Sequence, residues 1–324
     1  MVRSAKLVSM IPRDRLVALS VVVLWGLNFL AIHYSLDYFP PFFLGALRFL
    51  VIAVPVVLFV PRPQVPVRWL VLYGVGFGTL QFVCLFLAMH LGMPTGLASL
   101  VLQSSAPFTV VLGALLLHER MTVRQIVGIC VAVGGMALIV IDRAGHSAAA
   151  GVVPVLLTVA GGLGWAFGNL GNRLAKPADP LSFTLWMSVV PPLPMLVLSA
   201  AVEGPTTGWV ALWHSPSSTA GLVALGGLAY TVLLGTIAGS GLWSHLMTRY
   251  PSSTVAPVSL LVPVVGIAAS AVVLGERPTA LALAGAVVVL GGCLAGLTGA
   301  RRTPSAAPAG ESVQLPPPSA PARA

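Results

Sequence analysis

The sequence predicts an all-α membrane protein whose ten transmembrane helices form two inverted five-helix repeats, and three observations lead to this fold class. Hydrophobic residues make up 57% of the 324-residue chain and charged residues only 8%, whereas charged residues are about 25% of an average soluble domain. Apolar stretches of roughly 20 residues, enough to cross a hydrocarbon core of about 30 Å, fill almost all of the chain before residue 300. One set of motifs also occurs twice.

The apolar stretches are predicted to be helices rather than strands of a barrel. In lipid every backbone polar group has to be paired within the protein, and the stretches lack the period-2 alternation of membrane strands. The predicted spans cover residues 16–36, 41–60, 67–91, 94–117, 122–141, 151–171, 180–201, 219–247, 252–274 and 279–297.

The duplication is visible as two related series of residues. The series Glu119-Arg120, Gly128 and Gly134-Gly135 recurs 157 positions later as Glu276-Arg277, Gly285 and Gly291-Gly292. Trp25 with Asn28 recurs as Trp165 with Asn169 at an offset of about 140, because a polar insert at 202–218 lengthens the second half. Five helices per repeat is an odd number, so the repeats must be inverted, an arrangement typical of secondary transporters.

These observations divide the chain into four parts. A basic N-terminus (1–15) precedes the first repeat (16–141), the second repeat occupies 151–297, and a Pro/Ala-rich tail (301–324) follows. The tail has nothing to bury, so we expect it to be disordered and cytoplasmic.

The net charge of +9 could indicate a nucleic-acid partner, but its distribution predicts a lipid bilayer instead. With the N-terminus in the cytoplasm, 14 of the 17 Lys and Arg residues fall on cytoplasmic segments, as the positive-inside rule requires. We therefore predict an uncleaved first span, both termini cytoplasmic, and no nucleic-acid partner. Cys84, Cys130 and Cys293 lie inside predicted spans without metal-ligand spacing, so no metal, cofactor or disulfide framework is predicted.

Polar side chains within the spans are candidates for a substrate pathway, because polar groups in lipid usually face the bundle interior. Trp25 and Asn28 share one face of the first span, as do Trp165, Asn169 and Asn172 in the sixth. Such residues also hold helices together without any substrate, and this alternative stays open. The predicted pathway further includes Gln81 and Tyr230.

Arg48 is the charge that lies well inside a predicted span. One interpretation is a fixed cation that attracts a substrate carboxylate. The alternative is an arginine that snorkels to the outer headgroups or binds a neighbouring helix end.

Pro107 and Pro263 lie at equivalent places in the fourth and ninth spans. Each proline removes one backbone hydrogen bond and frees the carbonyl four residues earlier, at Gln103 and Ser259. We expect these two polar residues to offer acceptors near the midplane, where inverted-repeat transporters bind their cargo. A packing kink whose carbonyl is satisfied by a neighbour is the alternative.

An enzyme is not predicted. The spans contain no deep Asp or Glu, and His33, His90 and His245 lie towards helix ends. Ser240 and His245, the one pair suggestive of a hydrolase, would be rotated by about 140° on a helix.

Four runs carry a family resemblance: LWGLNF (24–29), PPFFLGALRF (40–49), GMPTGLASLVLQ (92–103) and LGALLLHER (112–120). They resemble the drug/metabolite transporter superfamily, EamA branch, and within it the amino-acid metabolite exporters of the O-acetylserine/cysteine type. The resemblance spans residues 12–298 and is densest in the first half. It implies ten helices around a central cavity and export of small metabolites from the cytoplasm.

The predicted function is therefore a plasma-membrane secondary transporter that exports amino-acid metabolites of the cysteine/O-acetylserine type by alternating access of its repeats. Multidrug or cation efflux by the same fold is the first alternative, and a non-transporting membrane scaffold is the second. The predicted partners are a small-molecule substrate and the bilayer, with a homodimer left open.

Overall fold

The computed structural model describes residues 10–146 and 148–298. Within them, ten helices are long and apolar enough to cross a membrane. They are α1 Pro12–Leu36, α2 Pro41–Phe59, α3 Val67–His90, α4 Thr95–Leu117, α5 Val123–Gly145, α6 Gly151–Ala175, α7 Pro180–Val202, α8 Thr219–Arg249, α9 Ala256–Val273 and α10 Ala280–Leu297. The N-terminus before residue 10 and the predicted disordered tail lie outside the described residues.

The ten helices form two five-helix repeats of opposite orientation. We call the end of the bundle that carries Arg120, Arg173 and Arg249 the basic end, and the other the Glu276 end. Glu119 follows α4 at the basic end, where it pairs with Arg173, whereas its counterpart Glu276 follows α9 and contacts the start of α4 at the opposite end. Equivalent turns thus face opposite ends of the bundle.

The repeats pack on each other reciprocally. Helix α1 packs against α8 and α9 of the second repeat, and its counterpart α6 packs against α3 and α4 of the first. Helices α5 and α10 cross so closely that a Cβ atom added at Gly128 would lie 2.6 Å from the Gly292 carbonyl oxygen. Only glycine permits that approach, which accounts for two of the repeated glycines.

The helices depart from regular geometry at equivalent positions. A π-helical segment interrupts α3 at Gly74–Leu80 and α8 at Tyr230–Ala238. A 3₁₀ segment at Leu102–Ser104 precedes Pro107 in α4, and one at Ala256–Leu261 precedes Pro263 in α9. Such irregular turns free backbone groups from the helical ladder and are frequent at functional sites.

Two stretches differ from the sequence prediction. The seventh span, predicted as continuous over 180–201, consists of Pro180–Met187 and Pro192–Val202 with a break between them, because Pro191 and Pro192 lack the amide hydrogens that would continue the helix. The insert 202–218 is not merely a polar loop, since it contains a short helix, Thr207–His214. Gly208 of this helix lies against the ring of Phe43.

Candidate functional site

A cavity of about 420 Å³ occupies the centre of the bundle, a volume in the usual range for small-molecule sites. It extends from Ile32 of α1 and Ser99 of α4 to the basic end, where Asn172 of α6, Thr184 of α7 and Thr248 of α8 line it. None of its lining residues is Asp or Glu. Aromatic residues form much of its wall: Trp25, Phe29, Phe49, Tyr73, Phe77, Phe82, Trp165 and Trp243.

The structure places nine of the twelve predicted pathway residues on this cavity: Trp25, Asn28, Arg48, Gln81, Gln103, Trp165, Asn169, Asn172 and Ser259. Pro107, Tyr230 and Pro263 are not among its lining residues. The hydroxyl of Tyr230 donates to the carbonyl of Leu24 at 3.2 Å and so ties α8 to α1. Pro263 is buried within α9.

The expectation of free carbonyls below the two prolines needs correction. The Ser259 carbonyl accepts from Gln103 Nε2 at 3.3 Å, and the Gln103 carbonyl accepts from Cys293 Sγ at 3.8 Å. Neighbouring helices therefore satisfy both carbonyls, because a buried acceptor without a partner is costly. The prolines shape the packing of α4 against α9 and α10 rather than present acceptors to a ligand.

Arg48 lies inside the protein and does not snorkel to the headgroups. Only 5% of the residue is exposed, and its Cζ lies 4.0 Å from the centroid of the Phe82 ring and 5.3 Å from that of Phe49. Aromatic faces attract a desolvated cation. A buried charge without an ionic partner remains expensive, however, so this arrangement calls for an anion.

The guanidinium of Arg48 has one protein partner and two free donors. Its Nη2 donates to Thr236 Oγ1 at 2.9 Å, while Nε and Nη1 are buried with no hydrogen-bond partner. Thr236 is oriented by the π-helical segment, because its own hydroxyl donates to the Thr231 carbonyl at 2.9 Å. The lone pairs of the hydroxyl are thereby available to the arginine.

The first-span face predicted from Trp25 and Asn28 meets the π-helical segment of α8. Trp25 Nε1 donates to the Gly235 carbonyl at 2.9 Å, and the Trp25 ring lies 5.2 Å from that of Trp243. The Oδ1 atom of Asn28 is buried and has no partner. A Cβ atom added at Gly235 would lie 2.5 Å from this oxygen, so Asn28 requires a glycine opposite.

The matching face of α6 meets α3 and α4. The Trp165 ring lies 5.7 Å from Phe77, edge to face, and Asn169 Nδ2 donates to Thr109 Oγ1 at 3.1 Å. Gln81 is 3% exposed and its Oε1 has no partner. Asn169 is therefore held by the protein, whereas Gln81, like Asn28, keeps a free acceptor at the cavity.

Sequence reasoning did not single out Thr236, Phe82 or Trp243, all of which line the cavity. A signal for Thr236 was present, since Thr79 lies 157 positions earlier, and the hydroxyl of Thr79 likewise donates to the carbonyl five residues before it, at 3.3 Å. The two aromatic residues carry no such signal, because an apolar side chain in an apolar helix looks the same whether it faces lipid or a cavity.

No group of three or more His, Cys, Asp or Glu side chains suited to a metal ion occurs in the part of the chain that the structure describes. What the cavity offers is one buried cation, amide and hydroxyl groups, and aromatic surface. This combination can hold a small organic molecule that carries an anionic group.

Comparisons with known proteins agree with this geometry. A probable amino-acid metabolite efflux pump of Salmonella typhimurium is 40% identical over 295 residues, 89% of this chain and 96% of that protein. The Escherichia coli protein described in the same words is 40% identical over 294 residues, with the same coverage. A probable terminal-alkyne amino-acid exporter of Streptantibioticus cattleyicolor is 32% identical over 204 residues, 62% of this chain and 64% of that protein.

Fold and family comparisons extend over nearly the whole chain. A solved crystal structure with 18% sequence identity superposes with a TM-score of 0.59 over 90% of this chain and 99% of the other, which shows a shared fold. The model of the EamA-like transporter family matches twice, at residues 15–141 and 152–297. These matches and the ten spans identify the chain as a multi-pass membrane protein that exports small molecules. It belongs to the EamA-like transporter family.

Proposed function

We propose that this protein exports small amino-acid metabolites of the cysteine/O-acetylserine type from the cytoplasm, as a secondary transporter that works by alternating access. The observation that carries the proposal is Arg48, a buried cation with two unpaired donors in an apolar cavity. A planar guanidinium with two free N–H groups matches a carboxylate at two points. The names of the similar efflux proteins support export of amino-acid metabolites.

The orientation of the bundle supports export. The Lys/Arg distribution predicts that the basic end is cytoplasmic, and the cavity extends to that end. The described conformation is then the one that loads substrate from the cytoplasm. Both termini lie on the cytoplasmic side of the plasma membrane in this proposal, and a homodimer stays a prediction.

Cation or multidrug efflux is less well supported by the site. A cationic substrate would meet the unneutralised charge of Arg48, and no lining residue supplies a carboxylate. Like charges in a site of low dielectric constant repel strongly. The cavity therefore favours anionic or zwitterionic substrates.

Substitution of Arg48 tests the proposal. In proteoliposomes supplied with a panel of labelled amino acids, Arg48→Lys keeps the charge but loses the two-point geometry, and Arg48→Gln loses the charge. A charge-assisted hydrogen bond contributes roughly 1.5–3 kcal/mol, so we expect affinity to fall about ten- to a hundredfold, more with Gln than with Lys. Wild-type affinity in Arg48→Gln at equal expression would end the carboxylate assignment.

Cysteine labelling tests the orientation separately. In a variant without Cys84, Cys130 and Cys293, a cysteine at Ser218 should react with an impermeant thiol reagent applied to whole cells. A cysteine at Arg120, in the basic-end turn, should react only after the cells are opened. Labelling of both from outside would contradict the proposed topology.

A further inference from the structure

We infer that Asn28 and Gln81 determine substrate specificity by accepting hydrogen bonds from the ammonium group of the substrate, so that the site binds zwitterions through uncharged amides and Arg48. This inference rests on the proposed function and deepens it. Asn28 and Gln81 line the same cavity as Arg48, and their Oδ1 and Oε1 atoms are buried without a hydrogen-bond partner. Unpaired acceptors and unpaired donors in the lining of one cavity match a ligand that supplies the complement of both.

Asn28, Gln81 and Arg48 line one cavity, and each amide residue is a chain neighbour of, or packs next to, a residue that contacts Arg48. Asn28 Oδ1 lies against the backbone at Gly235, and the next residue, Thr236, accepts from Arg48. Gln81 precedes Phe82, whose ring lies beneath the guanidinium. The lining of this cavity thus offers donors for a carboxylate and acceptors for an ammonium.

The choice of amides rather than a carboxylate has a physical consequence. An Asp or Glu in this place would pair with Arg48 and neutralise it, because opposite charges in a desolvated site attract strongly. An amide oxygen accepts from an ammonium but carries no charge that would neutralise the arginine. Arg48 thus keeps its positive charge, which the carboxylate of a zwitterion can neutralise and a simple cation cannot.

The test compares S-methyl-L-cysteine with its N-acetyl derivative, two stable probes that share the carboxylate and differ in the ammonium. Binding to purified protein is measured for wild type, Asn28→Leu and Gln81→Met. Wild type should prefer the free amine by about tenfold or more, the value of a charge-assisted hydrogen bond. Each variant should reduce this preference to about threefold or less by weakening the free amine alone.

Arg48→Gln is the matched control, since it removes a contact common to both probes. It should weaken both equally and leave their ratio unchanged. A wild-type ratio in both amide variants would overturn the assignment of Asn28 and Gln81 while the proposed function stands. If Arg48→Gln changes the binding of neither probe, it is the proposed function that fails.

A second inference rests on different residues, at the two ends of the bundle. The Glu276 carboxylate accepts from the Thr95 amide at 2.7 Å and from the Gly96 amide at 3.0 Å, the first two N–H groups of α4. A carboxylate in this position satisfies unpaired donors and the positive end of the helix. A Cβ atom added at Gly96 would lie 2.9 Å from Ile267 Cα, so α4 and α9 are in direct contact at the Glu276 end.

The equivalent glutamate at the basic end has a different partner. The Glu119 amide donates to the Gly113 carbonyl at 3.3 Å, as the Glu276 amide does to Ser270, so the two turns have the same backbone form. The Glu119 carboxylate, however, accepts from Arg173 Nη1 at 2.9 Å and from Nη2. By the repeat spacing, the residues equivalent to Thr95 and Gly96 are 252 and 253, in the helical turn that precedes α9.

We propose that Glu119 and Glu276 alternate as helix caps during transport. In the described state Glu276 caps α4 and closes the Glu276 end, while Arg173 holds Glu119 away from α9 and the cavity reaches the basic end. In the opposite state Glu119 leaves Arg173 and caps the amides of residues 252 and 253, and Glu276 releases α4. The ion pair with Arg173 thus favours the state that is open at the basic end.

Glu119→Gln and Arg173→Gln break the same ion pair, but we expect them to change the accessibility of the cavity differently. The readout is the reactivity of a cysteine at Ser244, on the basic-end part of the cavity wall, in inside-out vesicles of a variant without the native cysteines. Arg173→Gln frees Glu119 to cap α9, so labelling should fall by about two- to fivefold, the range of an exposed ion pair. Glu119→Gln weakens the alternative cap, so labelling should stay at or above the wild-type level.

Glu203→Gln is the control. Glu203 caps α2 through the amides of Phe42 and Phe43 at 2.6 and 3.0 Å but is not one of the repeated glutamates, so labelling should not change. Equal effects of Glu119→Gln and Arg173→Gln would show a merely structural ion pair and overturn the proposal.

Discussion

Thr79 and Thr236 occupy equivalent positions in the two repeats, and comparison of their surroundings shows where the repeats differ. Each lies in a π-helical segment and donates to the carbonyl five residues earlier. Only Thr236 accepts from Arg48. The duplicated backbone thus supplies two equivalent irregular segments, and one charged side chain of α2 makes one of them the candidate binding site.

The glutamates at the ends of the bundle show a second difference of the same kind. The Glu276 carboxylate accepts from the first two backbone amides of α4, whereas the Glu119 carboxylate pairs with an arginine side chain. In an exact inverted repeat the two opposite conformations would have equal energies. In this conformation the glutamates have unequal partners and the cavity extends to the basic end.

The largest effect is expected from a bulkier residue at Gly96, where α4 contacts α9. In Gly96→Val the added atoms cannot fit against Ser270 and the backbone at Ile267. Overpacking of this kind costs about 1–3 kcal/mol or more, so we expect transport to fall at least about tenfold and the cavity to become accessible from the Glu276 end. Gly134→Val, where nothing lies within 4 Å of an added Cβ, should retain transport in the same assay.

Thr236→Val and Thr79→Val test whether the two equivalent threonines have different roles. Both remove the hydroxyl from a π-helical segment, but only the first leaves Arg48 without its protein partner. We expect substrate affinity to fall about tenfold in Thr236→Val, because a hydrogen bond to a charged group contributes roughly 1.5–3 kcal/mol. Thr79→Val should bind within about twofold of wild type, and equal losses in the two variants would mean that Arg48 does not depend on Thr236.

Smaller effects are expected from Pro107→Ala and Pro263→Ala. The carbonyls of Gln103 and Ser259 already have partners on neighbouring helices, so straightening either helix removes no acceptor from the cavity. We expect export within about threefold of wild type and a small change in thermal stability, because the gain of helix propensity and the loss of packing oppose each other. A loss of export at normal abundance would restore the hypothesis of substrate-binding carbonyls.

The fold class was accessible from the sequence because the bilayer imposes strict rules. A span has to be about 20 residues long and has to pair its own backbone groups, so the ten helices were predicted from composition and their ends differ by a few residues. The break within α7 was missed, although Pro191 and Pro192 were visible, because an apolar run does not show whether its backbone stays helical.

The candidate site was predicted less completely. Polar residues in apolar helices are conspicuous, which is why the sequence predicts Arg48, Asn28 and Gln81 as pathway residues. The chemistry of their partners was not visible, since the ring of Phe82 beneath Arg48 and the hydroxyl of Thr236 beside it come from other helices.

The spans, the duplication, the inversion and the small number of polar groups in the membrane can be read from the sequence, because hydrophobic length and repeat spacing are properties of the chain. Which of these polar groups have partners depends on the tertiary structure. It satisfied the carbonyls below the prolines, left Arg48, Asn28 and Gln81 with free hydrogen-bonding atoms, and gave Glu119 and Glu276 different partners. The physical reason is that hydrogen bonds between helices depend on distances of a few ångströms across the bundle, which no spacing along one helix specifies.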